Sequence, residues 1–167
     1  MAMIVEDGTG LSTANSYLSI ADFKTYWVDR GTTWADTKTD AEITVSLIKA
    51  TQYIDNNFTF QGARSLSAQA LEWPRYNAVD CSGYYVTGLP VKVGYATAEA
   101  ASIDIGGTSL FASVEQGINE KTENVPGAVQ TTYKYNGSST GKTTYASIIN
   151  YLKCFTTGGN SKKVLRY

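Results

Sequence analysis

Residues 39–58, TDAEITVSLIKATQYIDNNF, carry the clearest secondary-structure pattern in the chain. Thr39 and Glu42 have the spacing of a capping box, in which the two residues satisfy each other's backbone N–H groups at a helix start. The apolar residues that follow recur every three or four positions: Ile43, Leu47, Ala50, Ile54 and Phe58. Because residues at these spacings share one helix face, the stretch predicts a helix packed against a core.

A second helix is predicted before this stretch. Ser19 and Asp22 resemble a capping box with aspartate in place of the usual Glu or Gln, and Gly31 is placed to end the helix. The apolar residues between these ends share one face: Ile20, Phe23 and Trp27. Residues 1–15 have no helical period, and we expect an extended arm or loop there.

A third helix is predicted to start with Pro90 at its first position and to stop at Gly106 and Gly107. Its apolar face consists mostly of small residues, which let a neighbouring helix or subunit approach closely: Val93, Ala96, Ala100 and Ile103. Residues 61–89, between the second and third helices, are interrupted by glycines and by Pro74. They leave room for one short helical turn at residues 67–72.

Beyond residue 113 the pattern favours strands. Residues 129–135 alternate Thr and Tyr after a Val-Pro-Gly turn signal at 125–127, and an earlier strand over residues 114–121 would complete a hairpin. A short last helix, ending near Gly158 and Gly159, is predicted from Tyr145, Ile148, Ile149 and Leu152. The final residues, NSKKVLRY, are typical of a flexible basic peptide.

The predicted fold class is mainly α: a small helical bundle of about three core helices, with a C-terminal β-hairpin, a short last helix and extended terminal arms. The length of 167 residues fits one compact unit rather than two catalytic domains. We divide the chain into an N-terminal arm (1–15), a helical core domain (16–112), a hairpin with a short helix (113–157) and a basic tail (158–167).

Composition excludes several kinds of chemistry. The chain has no histidine, which excludes Ser-His-Asp and Cys-His nucleophiles and histidine-based metal sites. Cys81 and Cys154 are too few for a disulfide scaffold or a zinc site, so we interpret both as ordinary buried or free thiols. The sequence shows no signal peptide and no apolar run of about 18 residues. We therefore expect no membrane association and assembly in a cytoplasm.

Residues 136–144, NGSSTGKTT, invite comparison with a phosphate-binding loop. The match fails, because three residues rather than four separate Gly137 from Gly141. Only 23 residues, none of them acidic, follow Thr144, so a magnesium-holding aspartate has no place. The carboxylates elsewhere have no spacing that indicates a two-carboxylate hydrolase. We therefore predict no catalytic, cofactor-binding or metal-ligating residues and no cofactor, and we expect that the chain is not an enzyme.

Charge is distributed unevenly along the chain. Residues 1–123 carry 15 acidic and 8 basic side chains, whereas residues 124–167 carry six basic side chains and no acidic one. Such a split predicts that the tail meets an acidic partner, which could be nucleic acid, a neighbouring protein or another copy of the acidic body. A solvated tail that only balances the body is the other interpretation.

Several segments, in their order and spacing, resemble one family. They are the opening MIVEDGTGLSTANSYLSIADFKTYWVDRG, then LIKATQYIDNNF, FQGAR, QALEWPR and LPVKVGYATAEAA. Together they resemble the head-tail connector proteins of tailed bacteriophages, also called adaptor or head-completion proteins, some of which are labelled DnaT-like ssDNA-binding proteins. The resemblance covers residues 3 to 104 well and residues 118–155 more loosely.

The resemblance implies a structural virion protein at the head-tail interface, assembled in the host cytoplasm. Twelve copies are expected to form a ring beneath the portal, to lengthen the DNA channel and to join the head to a stopper or tail-terminator protein. Genomic DNA would pass through the lumen without sequence-specific contact. In such families a C-terminal segment reaches onto the portal, and six residues occupy that position here: Lys162, Lys163, Val164, Leu165, Arg166 and Tyr167.

A module that binds single-stranded DNA remains the alternative. Twelve tyrosines could provide stacking platforms for bases, and the basic C-terminal third could contact phosphates. The acidic body and the sequence pI near 5.4 argue against a free-standing, non-specific DNA binder.

Overall fold

The computed structural model describes residues 2–111, 120–124, 130–134 and 145–157. These residues contain four α-helices: α1 (Ile20–Val28), α2 (Asp40–Asn57), α3 (Val91–Ile105) and α4 (Ala146–Leu152). A 3-10 helix (Trp34–Thr37) lies between α1 and α2. Two antiparallel strand pairs complete the described elements, β1 (Ala63–Arg64) with β2 (Arg75–Tyr76) and β3 (Glu120–Asn124) with β4 (Gln130–Lys134). The prediction of a mainly helical chain is confirmed.

The described residues form two compact units, one from residues 2–111 with 146–157 and the other from residues 120–124, 130–134 and 145. In the first unit α3 packs against both α2 and α4, and α1 packs beside the 3-10 helix. The close packing of α3 follows from its small side chains, since Ala96, Ala98, Ala100 and Ala101 are completely buried. The last helix therefore lies with the helical core and not with the hairpin with which we grouped it.

The apolar stripe of α2 faces this core as predicted. Ile43, Leu47, Ala50 and Ile54 are fully buried, while Phe58 is the residue that caps the C-terminus of the helix. Burying an aliphatic side chain of this size contributes about 1.5–3 kcal/mol to folding. The stripe therefore places α2 in the centre of the helical unit.

The predicted helix starts are close to the observed ones. Glu42 N–H donates to the Thr39 hydroxyl and Thr39 N–H donates to the Glu42 carboxylate, which completes the capping box of α2. The Ser19 hydroxyl accepts from Asp22 N–H in the same way at α1. Pro90 is the N-cap of α3 rather than its first helical residue, and Gly106 ends that helix.

The predicted hairpin is confirmed in its pairing, with Glu120 opposite Lys134 and Asn124 opposite Gln130. Its first strand lies at Glu120–Asn124, later than the predicted residues 114–121, and the turn at 125–127 falls outside the described residues. The last helix ends at Leu152, well before the glycines. The chain turns there because Phe155 is buried and its carbonyl oxygen accepts from Gln61 N–H at 2.8 Å.

Two predicted segments differ in the structure. Residues 67–72 form no helical turn, because the buried Gln69 side chain satisfies backbone groups of Leu66, Leu71 and Pro74 instead. The N-terminal segment is not a free extended arm over its described part, residues 2–15. Its backbone pairs with the chain that follows, with Glu6 N–H donating to Ser16 O at 2.9 Å, and its Ala14 is buried.

Candidate functional site

The N-terminal loop is organised around one buried carboxylate. Glu6 is only 2% exposed, and its carboxylate accepts backbone N–H groups from Gly8 at 2.9 Å, Gly10 at 2.8 Å and Leu11 at 2.9 Å. Hydrogen bonds to a charged acceptor are stronger than those between neutral groups. The opening motif EDGTGL thus builds a closed loop, and its acidic residue is used to hold that loop together.

The loop leads to a buried polar network around Tyr17. The Tyr17 hydroxyl donates to Asp55 Oδ1 at 2.6 Å and accepts from Trp73 N–H at 3.1 Å. Glu72 N–H donates to Asp55 Oδ2 at 3.2 Å. Burial raises the pKa of the Asp55 carboxyl from its ordinary value of 3.8 to about 6. The network ties the N-terminal segment, α2 and the segment before β2 into one block.

Arg75 joins two of the five segments that carry the family resemblance, FQGAR and QALEWPR. Its Nε donates to Gln61 O at 2.8 Å, one terminal nitrogen donates to Gly62 O at 2.9 Å, and the other contacts the Glu72 carboxylate and carbonyl. The side chain is 9% exposed. Arg75 is therefore occupied by this chain's own backbone and is unsuited to holding a phosphate.

A polar cavity of about 370 Å³ opens beside this network. Asp55 and Glu72 lie on its wall together with three amide side chains, those of Asn15, Gln52 and Asn56. Among the described residues, no group of three or more His, Cys, Asp or Glu side chains is arranged to hold a metal ion.

Our interpretation of the two cysteines as buried or free thiols is wrong. Cys81 and Cys154 form a disulfide across 73 residues of sequence, with their Cα atoms 4.9 Å apart. Sequence spacing could not reveal this pair, because the fold brings residue 81 to the end of the α4 segment. The bond fastens the irregular loop before α3 to the last described segment of the helical unit.

That loop presents two tyrosines to solvent. Tyr84 and Tyr85 are each 74% exposed. Their backbone is held in a small turn, in which Asp80 N–H donates to Tyr84 O and the Asp80 carboxylate accepts from Tyr84 N–H. We call residues 78–86 the tyrosine tip. In residues 76–91 the only charged side chain is Asp80, so the tip carries large apolar rings with no cation nearby in sequence.

A groove of about 360 Å³ lies between α1 and the start of α3. Its floor is formed by Tyr26 and Tyr95, whose rings lie 5.1 Å apart. The Arg30 guanidinium lies over the Tyr26 ring at 3.4 Å and donates to Tyr26 O at 2.8 Å. Burial raises the pKa of the Tyr26 hydroxyl, which donates to Glu99 Oε1 at 2.6 Å. This set is preorganised by stacking and hydrogen bonds.

The structure leaves the predicted tail site untested. Lys162, Lys163, Val164, Leu165, Arg166 and Tyr167 lie outside the described residues, as does the NGSSTGKTT loop. The structure does bring together three features that sequence reasoning did not locate: the groove, the disulfide and the buried Asp55. One signal for the tip was visible in the sequence, namely a Tyr-Tyr pair in a stretch almost free of charge.

In the part of the chain that the structure describes, no helix is long and apolar enough to span a membrane. The helical unit carries an exposed aromatic tip, an apolar groove and a polar cavity. A family model described as "Putative DnaT-like ssDNA binding protein" matches residues 1–167. The chain belongs to this DnaT-like family. No curated protein and no solved structure matches the chain.

Proposed function

We propose that this protein is a non-enzymatic structural subunit of the neck of a tailed bacteriophage. Twelve copies form a ring beneath the portal, extend the DNA channel and join the head to a stopper or tail-terminator protein. Genomic DNA passes through the lumen without sequence-specific contact. The place of action is the virion, after assembly in the host cytoplasm.

The tyrosine tip is the observation that carries this proposal. Tyrosine supplies a large contact area at low entropic cost and is enriched among the residues that dominate protein–protein binding energy. Here two such rings are held out on a tip that is braced by a disulfide and by backbone hydrogen bonds. Because the tip segment has no cation, its chemistry suits a protein surface better than a phosphate backbone.

The contacts made by residues of the family motifs agree with a structural role. Glu6 and Tyr17 lie in the opening motif and Arg75 lies in QALEWPR, and all three are buried and hold backbone segments together. A rigid body of this kind suits a ring subunit, because cyclic closure requires one fixed face of each copy to meet a different face of the next. The basic tail, residues 158–167, is suited to an acidic surface on the portal.

The test combines electron microscopy with a DNA-binding measurement. The full chain is mixed with purified portal protein from the same phage, and added ring density is sought by image averaging. The variant Tyr84→Ser with Tyr85→Ser should lose at least about tenfold in occupancy, since each lost hot-spot residue costs about 2 kcal/mol or more. Tyr76→Ser is the matched control, because Tyr76 is also an exposed tyrosine but lies outside the tip.

The tail is tested separately by deleting residues 158–167. We expect the truncated protein to keep the circular dichroism spectrum of the full chain but to lose stable docking to the portal. Incorporation of the truncated protein into particles at the normal level would remove the tail from the proposal. Absence of ring density with the intact chain would remove the connector role itself.

A module that binds single-stranded DNA is the second candidate. The description of the family favours it, and two exposed adjacent rings could stack on bases, a contact worth about 1–3 kcal/mol per base. A gel-shift assay with a single-stranded oligonucleotide discriminates between the two functions. Binding that falls steeply with salt and is lost in Tyr84→Ser with Tyr85→Ser, without any portal density, would establish the DNA-binding function.

A further inference from the structure

The groove between α1 and α3 is not used by the contacts that support the proposed function. It has an apolar wall made by Leu89, Pro90 and Val91, and Val91 is 67% exposed. On the α1 side it is bordered by two exposed carboxylates, Asp22 and Asp29. An exposed apolar surface rimmed by charge is typical of a docking site for a peptide.

We propose that this groove is the docking site for the chain's own C-terminal segment, residues 158–167, in the free subunit. The segment reads GGNSKKVLRY, and its chemistry matches the groove. Lys162, Lys163 and Arg166 are complementary in charge to the acidic α1 side. Val164, Leu165 and Tyr167 provide apolar and aromatic groups for the other wall.

The groove also carries one positive charge, Arg30, which is outnumbered by the two carboxylates. The Arg30 guanidinium lies 3.4 Å above the Tyr26 ring, and its nitrogens donate to Tyr26 O and to the Tyr151 hydroxyl. It is therefore held against the aromatic floor, while Asp29 beside it is exposed. The acidic edge of the groove stays available for a cationic side chain.

The segment is also long enough to reach the groove. Thr157, the last described residue before it, donates its N–H to Thr59 O at 2.8 Å. The neighbouring Phe60 ring lies 5.6 Å from the Trp73 ring, and the backbone N–H of Trp73 donates to the hydroxyl of the groove residue Tyr17 at 3.1 Å. Ten extended residues span about 33 Å, which is about the diameter of a small domain. A tether of this length gives an effective concentration in the millimolar range, so even a weak contact is populated.

This inference does not depend on the proposed function, because it concerns the subunit alone. A groove-bound tail would keep the basic segment on its own body until another acidic surface competes for it. It would pair the acidic body with three of the six basic side chains that follow residue 123. Its failure would leave the portal experiment unaffected.

The test uses the full chain with the photo-crosslinking residue benzoylphenylalanine in place of Leu165. After irradiation, mass spectrometry of the monomer band is expected to place the crosslinks in residues 17–30 and 89–95. Asp29→Lys should lower this yield about fivefold at low salt, as should Lys162→Glu with Lys163→Glu. Asp36→Lys is the matched control, since Asp36 is an exposed acid that does not line the groove.

A second readout covers the case in which Asp29→Lys disturbs the crosslinking chemistry rather than the contact. Trypsin should cut after Lys162 and Lys163 several times faster in Asp29→Lys than in the intact chain or in Asp36→Lys, because a docked tail is protected. Crosslinks spread over the whole surface, or equal protection in all three proteins, would overturn the proposal. Groove crosslinks confined to a dimer band would also overturn it, because the tail would then be exchanged between copies.

Discussion

At the scale of single residues, Glu6 is the side chain on which the N-terminal loop depends. Glu6→Gln keeps the size of the side chain but replaces one of the two acceptor oxygens by an NH₂ group. If the remaining oxygen accepts from Gly8 N–H and Gly10 N–H, the NH₂ group faces Leu11 N–H and cannot accept from it. We expect a loss of about 3 kcal/mol in the free energy of unfolding, measured by urea denaturation.

Asp7→Asn is the matched control for this prediction. Asp7 is the adjacent carboxylate, but it lies at the surface and accepts from the neighbouring Thr9. Its replacement should change the free energy of unfolding much less than Glu6→Gln does. Equal losses for the two variants would show that the buried carboxylate has no special role in the loop.

The raised pKa of Asp55 predicts that the stability of the fold depends on pH. Burial raises the pKa of its carboxyl from 3.8 to about 6, so the folded state binds this proton more tightly than the unfolded state does. The contribution of protonated Asp55 to the free energy of unfolding is complete below the unfolded-state pKa. It is lost as the pH rises through the folded-state pKa. This loss amounts to about 3 kcal/mol, since one pKa unit corresponds to about 1.4 kcal/mol.

The measurement is urea denaturation of the intact chain and of Asp55→Asn at a series of pH values from about 4 to about 7. The amide that Asp55→Asn introduces does not titrate. The stability difference between the two proteins should therefore shift by about 2 kcal/mol from about pH 4 to about pH 7, in favour of the variant at high pH. Groups elsewhere titrate in both proteins and cancel. A difference that stays constant with pH would contradict the raised pKa of Asp55.

At the scale of elements, the β1–β2 pair depends on Gly62. This residue has a φ of +69°, and a Cβ atom there would collide with the backbone of Tyr76 and Asn77. Gly62→Ala should therefore cost about 3 kcal/mol or more in thermal or urea unfolding, because backbone atoms cannot move aside as a flexible side chain can.

Gly107→Ala separates the steric effect from the conformational one. Gly107 also has a positive φ, +87°, but no atom lies within 4 Å of its added Cβ. The cost at Gly107 should be about 1 kcal/mol, from the backbone conformation alone. A Gly62→Ala variant as stable as Gly107→Ala would mean that the β1–β2 segments are not closely paired in solution.

At the scale of the whole molecule, the Cys81–Cys154 disulfide fastens the loop of the tyrosine tip to the last described segment. Cross-linking residues 73 apart in sequence restricts the unfolded chain and is expected to stabilise the fold by about 4 kcal/mol. Cys81→Ser should remove that contribution with little packing cost, because Cys81 is exposed whereas Cys154 is buried.

The check is thermal unfolding of the intact chain and of Cys81→Ser, each with and without a thiol reductant. The intact chain should unfold at a lower temperature with reductant, while Cys81→Ser should not respond. The same response in both proteins would contradict the disulfide as its source. Alkylation and mass analysis of the unreduced intact chain provides an independent readout, with two fewer alkyl groups than after reduction.

Much of the helical unit was predictable from local pattern. The capping box at Thr39 and the stripe from Ile43 to Ile54 involve residues no more than four positions apart, which interact as soon as the helix forms. The same holds for the cap at Ser19 and for the stop at Gly106. Helix ends were less predictable where distant contacts decide them, as at Leu152, where the chain turns to bury Phe155.

The candidate sites were less predictable, because their members are far apart in sequence. Tyr26 meets Tyr95 and Tyr151 only once α1, α3 and α4 have packed, and Asp55 acquires its raised pKa only when the fold buries it. Burial and partner identity set the chemistry of these groups.

The sequence by itself determined the mainly helical class, the start of each core helix, the hairpin and the family to which the chain belongs, since these depend on local periodicity, capping and motif order. The tertiary structure alone decided the pairing of Cys81 with Cys154, the closed loop around Glu6 and the groove between α1 and α3. Each of these features brings together groups that are separated by turns. The geometry of those turns sets the direction of the chain, and a local residue pattern does not reveal it.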